Sequence, residues 1–194
     1  MVGSVHKCID LLQKTYTERG LNILDVPKEG YHRTDITKLE KRLGKDLDSS
    51  FKQILNIVKL DRLIFGSVSF GRGTSYLEQI DWAKNRKSLF LDHTLKANDN
   101  LLHIGNYDGG ILLLENHSGK IFYRDDEEFE LEVIASTFQT FILLLCAISK
   151  LALLYDEDDI EDEDKLLEAT NTLLDDWGYD HTRGFWKRFA TRVI

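Results

Sequence analysis

The sequence is poor in cysteine, proline and methionine. Its 194 residues include two cysteines, one proline and one methionine. Cys8 and Cys146 lie far apart and belong to no CxxC motif, so two reduced thiols in the core are favoured over a disulfide. The segment MVGSVHKCIDLLQK at the start has no apolar region of the kind that directs export, and we therefore expect a cytoplasmic protein.

A cationic excess and a long apolar run are also missing. Binding to DNA or RNA requires a cationic footprint, so the net charge of −8 makes nucleic acid an unfavourable partner and favours a basic protein partner. The longest uninterrupted apolar run is Phe141 to Ile148, whereas a membrane span needs about 20 apolar residues. We therefore expect a core helix in this region and no membrane partner.

The motifs of common catalytic and cofactor sites are absent as well. GSVSFG lacks the spacing of a nucleophile elbow, and GRGTSY lacks the third glycine of a dinucleotide-binding fingerprint. The six histidines are scattered, and the acidic run DEDDIEDEDK has neither the spacing nor the glycine of an EF-hand loop. We expect no enzymatic activity, no cofactor and no metal; the alternative is a hidden catalytic site, built from polar residues that converge only in space.

Apolar residues at helical spacing predict helices in the segments SVHKCIDLLQKTYTER, TDITKLEKRL, DSSFKQILNIVKL and ASTFQTFILLLCAISKLALLY. A turn or two of helix is expected in YLEQIDWAKNRKSLFL. Gly44 is predicted to end the second helix, and Asp48 is predicted to cap the third. Ser50–Gln53 and Ser136–Gln139 have the spacing of capping boxes at the starts of the third and fourth.

Two more apolar stripes follow the acidic run. The first has helical spacing and consists of Leu166, Leu167, Thr170, Leu173, Leu174 and Trp177. The second lies among basic residues in the tail HTRGFWKRFATRVI and consists of Phe185, Trp186, Phe189 and Val193. A basic aromatic stripe can contact a membrane surface, but packing back onto its own domain is favoured here.

Three segments after residue 100 have the alternation that is typical of β-strands. LLHIG, GILLLE and KIFYR are separated by turn residues, with Asp108–Gly110 before the second segment and NHSG before the third. These glycines are therefore interpreted as turn residues and not as a phosphate-binding loop, and an antiparallel meander is expected. RLIFGSVSF also contains β-forming residues, and Gly66 is predicted to mark a bulge.

Three blocks of residues follow one another between residues 35 and 150. They are ITKLEKRLGKDLDSSFKQIL, LHIGNYDGGILLLENHSGKIFYRDDEE and IASTFQTFILLL. In order and spacing the blocks resemble the SUKH superfamily, which includes the Smi/Knr-type fungal cell-wall regulators and many bacterial immunity proteins of polymorphic toxin systems. Asp48 stands where this family usually has proline, and NIVKLDR replaces the usual Asn-Gly-Gly after the helix that Asp48 opens.

The resemblance implies an α+β fold, with helices packed around a mostly antiparallel sheet and with helical extensions at both ends. The expected organisation is an N-terminal helix and connector over residues 1–34, a SUKH-like domain over 35–155, and an acidic linker with a C-terminal helical extension over 156–194. The resemblance further implies a non-catalytic immunity protein that binds and neutralises a cognate toxin domain, often a nuclease. The alternative is a regulatory scaffold like the fungal members.

Polar and acidic residues beside the meander form the candidate partner-binding surface. They are Asn106, Asp108, Asp125, Asp126, Glu127 and Glu128. We expect this surface to meet a basic surface of the toxin, because opposite charges speed association. The acidic run at residues 156–164 is the competing candidate, and the alternative to both is that the acids only keep the protein solvated. The expected assembly is a monomer or a weak homodimer.

Overall fold

The computed structural model describes residues 2–18, 29–61, 63–71, 75–85, 100–125, 130–156, 163–179 and 183–192. Seven helices lie in these ranges: α1 Val2–Glu18, α2 Arg33–Leu43, α3 Ser49–Leu55, α4 Tyr76–Asn85, α5 Phe138–Asp156, α6 Glu163–Asp176 and α7 Arg183–Ala190. The same ranges contain six strands: β1 Ile64–Phe65, β2 Val68–Ser69, β3 Leu101–Tyr107, β4 Gly110–Glu115, β5 Ile121–Arg124 and β6 Glu132–Ala135. The predicted α+β class, with helices at both ends, is confirmed.

The strands form one antiparallel sheet in which spatial order follows chain order. The predicted meander is therefore confirmed, and it extends from β1 to β6. Asp108 and Gly109, with φ of 47° and 89°, form the two-residue loop between the paired residues Tyr107 and Gly110. Positive φ at both central positions matches the right-handed twist of the flanking strands, so the glycine serves a turn as predicted.

Side chains on one face of the sheet join the helices in a single core. Leu112 and Leu114 of β4 are fully buried, and the same core contains four fully buried residues of α5: Phe138, Phe141, Leu145 and Ile148. The same core includes Val5 of α1 and Phe189 of α7. On the opposite face a smaller cluster contains Leu101, Ile111, Leu113 and Phe122. Both faces of β4 are thus buried, which explains its continuous apolar sequence.

The start of α3 was predicted correctly, but neither capping box forms. The carboxylate of Asp48 accepts the backbone N–H of Phe51 at 2.9 Å, as expected of an N-cap. Ser50 lies inside the helix, and its hydroxyl accepts the backbone N–H of Gln139 on α5 at 3.2 Å. At the start of α5 the Thr137 hydroxyl accepts the N–H of Thr140 at 3.1 Å, which makes Thr137 the cap in place of Ser136. Ser50 therefore makes a tertiary contact instead of a capping box, and Thr137 takes the capping position that was predicted for Ser136.

Other sequence predictions need correction. Gly66 lies in the turn between β1 and β2 with φ of 51°, so it makes a hairpin turn and not a bulge. Helix α4 runs for 10 residues, longer than the turn or two expected. Trp177 is 41% exposed, because α6 ends before it and Gly178 turns the chain with φ of 75°. Strand β6 was not predicted.

The C-terminal aromatic stripe packs back on the domain, as predicted. Phe185, Trp186 and Phe189 are fully buried, whereas Val193 lies outside the described residues. Most of the acidic run, residues 157–162, also lies outside them. Within the described ranges, every helix is too short or too polar to cross a bilayer.

Candidate partner-binding surface

The sheet brings two of the predicted partner-binding residues to the same end. Asp108 lies in the β3–β4 turn, and Asp125 directly follows β5. Because β4 starts beside the end of β5, with Ile111 paired to Arg124, both carboxylates lie at this end of the sheet. Asn106 lies near the end of β3. The remaining predicted residues, Asp126, Glu127 and Glu128, lie outside the described part of the chain.

Two arginines of the C-terminal segment pair with these carboxylates: Arg188 lies on α7, and Arg192 lies in the turn just after it. The guanidinium of Arg188 lies 3.4 Å from Asp125, and Arg192 forms an ion pair with Asp108. The carboxylates stay accessible, with side-chain exposures of 44% for Asp108 and 28% for Asp125. Sequence reasoning missed these pairs, and the available signal was the basic character of the tail HTRGFWKRFATRVI in an acidic chain.

Aromatic rings pack beside the ion pairs. Tyr107 packs against Phe185 and Phe189 of α7, with ring centroids 4.8 and 6.2 Å apart. The Tyr123 hydroxyl donates to Asp125 at 3.3 Å, and the Arg188 guanidinium lies 5.4 Å from the centre of the Tyr123 ring. The guanidinium of Arg188 and the hydroxyl of Tyr123 therefore both hold the Asp125 carboxylate, so its position is fixed.

Burial keeps the two tyrosines of this surface protonated. It raises the pKa of Tyr107 to about 12, although the positive charges of Arg192 and Arg188 act in the opposite direction. Burial also raises the pKa of Tyr123, and the negative charge of Asp125 adds to the rise. Both phenols are neutral at physiological pH, so they serve packing and hydrogen bonding, not acid–base chemistry.

Helix α7 reaches this position through contacts with the edge strand β6. The Glu132 carboxylate accepts the backbone N–H of Phe185 at 3.0 Å, in the first turn of the helix, where negative charge is favourable. The Trp186 indole donates to the carbonyl of Ile134 at 2.9 Å in a buried environment. These contacts cover part of a sheet edge that would otherwise be open to pairing with another strand.

Asn106 adds a polar group near the same end of the sheet. Its side-chain oxygen lies 3.1 Å from Nε2 of His103, and the same nitrogen lies 2.8 Å from the carbonyl of Gly105. Since a carbonyl only accepts, Nε2 carries a proton and donates to it. The arrangement offers carboxylates, an amide and arginines for recognition. Among the described residues no cluster of three or more metal-binding side chains occurs.

A cleft lies between α2 and α4. It is a cleft of about 230 Å³ lined by Tyr31, Asp35, Lys38, Leu39, Arg42, Ser75, Leu77 and Glu78. Near it the Asp61 carboxylate accepts the Tyr31 hydroxyl at 2.6 Å and the Tyr76 backbone N–H at 2.7 Å. This network ties the chain before β1 to the start of α4, so we assign Asp61 a structural role.

The blocks that carry the family resemblance meet in space. The backbone N–H of Asp48 donates to the side-chain oxygen of Asn116 in the β4–β5 turn at 2.8 Å, and the Asn116 amide donates to the Asp46 carbonyl at 2.7 Å. Buried Glu40 accepts the Leu47 N–H at 3.0 Å. A proline at position 48 would have no backbone N–H and could not donate to Asn116. Asp48, which replaces the usual family residue, therefore makes a hydrogen bond that proline could not make.

Comparison with known families gives a match, which covers the whole sheet. A comparison with curated proteins gives no match. The model of the SMI1 / KNR4 family (SUKH-1) matches residues 31–144, which run from the loop before α2 into α5 and include all six strands. The match covers more than half of the 194 residues, and the chain therefore belongs to the SMI1 / KNR4 family (SUKH-1).

Proposed function

We propose that this protein is a non-catalytic, cytoplasmic immunity protein that binds a cognate toxin domain of the nuclease class and blocks it. The observation that carries the proposal is the match to the SUKH-1 family, because the SUKH superfamily includes many immunity proteins. The net charge of −8 supports a toxin with a basic surface. A nuclease needs such a surface to hold phosphates, and an acidic inhibitor complements its field.

The partner-binding surface in this proposal is the end of the sheet that bears Asn106, Asp108 and Asp125. Asp126, Glu127 and Glu128, which follow Asp125 in the sequence and lie outside the described residues, belong to the same proposal. The ion pairs with Arg188 and Arg192 leave this surface available for binding, because both described carboxylates stay partly exposed. A carboxylate has about four lone-pair sites, so one that is paired with an arginine can still accept from a toxin lysine or arginine. A side chain that is already held also loses less entropy on binding.

Charge reversal tests this surface. Asp125→Lys combined with Glu127→Lys should slow association with the toxin domain at low salt by up to roughly tenfold, and the difference should shrink at high salt. The matched control is Asp158→Lys with Asp159→Lys, which makes the same change of charge in the competing acidic run. If only the control variant slows association, the surface is misassigned; if neither does, the acids serve solvation.

Removing the positive charge beside Asp125 should have the opposite effect on the rate of association. Arg188→Gln removes the cation 3.4 Å from Asp125 without adding a charge, so association with a basic toxin should become faster. Slower association would instead show that Arg188 itself contacts the toxin, and the partner would then be acidic at that point. Thermal unfolding of each variant separates loss of binding from loss of fold.

The family match supports a second function, a regulatory scaffold that binds several cellular proteins like the fungal members. The neighbouring genes distinguish the two. A toxin gene directly upstream supports immunity, whereas an isolated locus favours the scaffold.

A further inference from the structure

The outer face of α2 concentrates positive charge on an acidic protein. One side of this helix is buried in the core, and the side chains on its other side are exposed to solvent. The outer face bears four exposed cations and one half-buried carboxylate: Arg33, Lys38, Lys41, Arg42 and Asp35. This face is therefore positive, although the whole chain has a net charge of −8.

The helix macrodipole explains only part of this pattern. Lys41 and Arg42 lie in the last turn of α2, where a cation is favourable. Arg33 is the first residue of the helix, where a cation is unfavourable. Lys38 and Arg42 are four residues apart, so these like charges are neighbours on the helix surface and repel each other. Local features that weaken an element are typical of residues that serve binding.

The cations of this face can still be neutralised by a partner. The Lys38 ammonium lies 3.1 Å from the Asp35 carboxylate, but both side chains are exposed, so this pair contributes little and can be exchanged. Within the described ranges no carboxylate pairs with Arg33 or Lys41. The arginines at the end of the sheet differ, because each of them is already paired with a carboxylate.

The cleft between α2 and α4 opens beside this positive face. Lys38 and Arg42 belong to its lining, so the cations border the cleft. Its apolar lining consists of Leu39 and Leu77, which are 2% and 7% exposed. The cleft volume of about 230 Å³ is below the range of about 300–1,000 Å³ that is usual for small-molecule sites. The cleft therefore suits one side chain of a partner protein better than a separate small molecule.

Hydrogen bonds hold the cleft in shape before a partner binds. Tyr31 in its lining donates its hydroxyl to Asp61 at 2.6 Å and accepts the backbone N–H of Leu60 at 3.1 Å. The Asp61 carboxylate also accepts the backbone N–H of Tyr76, the first residue of α4, at 2.7 Å. One carboxylate thus joins two walls of the cleft. Because these walls are already ordered, binding costs less entropy.

We propose that the outer face of α2 and the cleft beside it form a docking surface for an acidic peptide segment of a second partner protein. Carboxylates of the segment pair with Arg33, Lys38 and Lys41, and one of its apolar side chains enters the cleft against Leu39 and Leu77. Charge complementarity selects this partner, because the cations repel a basic segment. Nucleic acid is disfavoured, because the acidic remainder of the chain repels phosphate.

The experiment follows the fluorescence anisotropy of a short fluorescein-labelled peptide that is rich in glutamate and has one central phenylalanine. The full-length protein should bind it at low salt, and added salt should weaken binding by screening exposed charges. Lys38→Glu combined with Lys41→Glu should weaken binding by roughly tenfold or more. A peptide with serine in place of phenylalanine should bind roughly fivefold more weakly or worse, because the cleft then stays unfilled.

Lys7→Glu combined with Lys14→Glu is the matched control. It reverses two exposed lysines on α1, and Lys14, like Lys38, is ion-paired with a carboxylate of its own helix. This variant should bind the peptide nearly as well as the wild type. Lys38→Gln combined with Lys41→Gln should show a smaller loss than the reversal, and it keeps the test open if thermal unfolding shows that the reversed variant is unstable.

Four results would overturn the proposal. They are absence of peptide binding at low salt, equal loss in the α1 and α2 variants, equal binding of a peptide with glutamine in place of glutamate, and tighter binding of double-stranded DNA than of the acidic peptide. A dimer of the wild type that the Lys38→Glu, Lys41→Glu variant abolishes would assign the surface to a second copy of the chain and would also overturn it. The surface shares no residue with the one assigned to toxin binding, so the two proposals are tested separately.

Discussion

Trp186 tests the claim that the C-terminal helix belongs to the core of the domain. Its side chain is fully buried against Phe141, Phe185 and Phe189, with ring centroids 5.8, 4.9 and 5.9 Å away. Truncating a buried aromatic side chain of this size costs about 3–5 kcal/mol in the free energy of unfolding. Since a domain has a total stability of about 5–15 kcal/mol, Trp186→Ala should lose a large part of it.

Trp186→Phe separates the hydrogen bond from the packing. The smaller ring keeps much of the apolar surface but removes the indole donor, which leaves the buried Ile134 carbonyl without its partner on α7. An unsatisfied buried group costs about 1–3 kcal/mol, so this variant should fall between the wild type and Trp186→Ala.

Urea denaturation followed by far-UV circular dichroism measures both variants without relying on tryptophan fluorescence. The matched control is Trp177→Ala, because Trp177 is 41% exposed and its truncation should cost at most about 1 kcal/mol. If Trp186→Ala costs no more than Trp177→Ala, α7 does not pack as described. The ion pairs of Arg188 and Arg192 with Asp125 and Asp108 would then lose their basis.

The remaining predictions concern the core and the loops. Leu145→Ala should cost about 2–5 kcal/mol in chemical denaturation, and a change below half a kcal/mol would place α5 at the surface. Tyr107→Phe should be neutral or stabilising, because this buried hydroxyl has no partner among the described residues, whereas Tyr76→Phe should cost about 1–3 kcal/mol through the loss of a 2.7 Å bond to a β3 carbonyl. Because burial raises the pKa of Tyr107 to about 12, the wild type should lose stability from about pH 10 upward in a pH series of unfolding curves, and Tyr107→Phe should lose less. Asp48→Pro restores the usual family residue but removes the α3 cap and the 2.8 Å bond to the β4–β5 turn, so it should cost about 1–3 kcal/mol; equal or higher stability in a thermal melt would contradict this role.

Local chemistry explains what the sequence predicted well. Helix faces, the Asp48 cap and the Asp108–Gly109 turn depend on residues within a few positions of one another, so periodicity and turn preferences suffice to find them. The capping boxes failed for the opposite reason. Ser50 and Ser136 have the right local spacing, but their hydroxyls bond to groups 89 and 43 residues away in the chain.

The nearness of Asp108 and Asp125 was predicted, but the positive charges beside them were not. Three strands in meander order were enough to bring Asp108 and Asp125 to one end of the sheet. Asp125 pairs with Arg188 of α7, and Asp108 pairs with Arg192 just beyond the end of α7. Only the fold brings these distant residues together. Strand β6 was missed because it is four residues long and begins with an acid, so its burial depends on the sheet it joins.

The central claim is that this SUKH-1 protein neutralises a toxin by direct contact. The most direct measurement is growth of cells that co-express it with the C-terminal domain of the toxin encoded beside its gene. The account predicts restored growth and co-purification of the two proteins, with weaker protection from the Asp125→Lys, Glu127→Lys variant. Growth arrest despite full expression of the folded protein would contradict it.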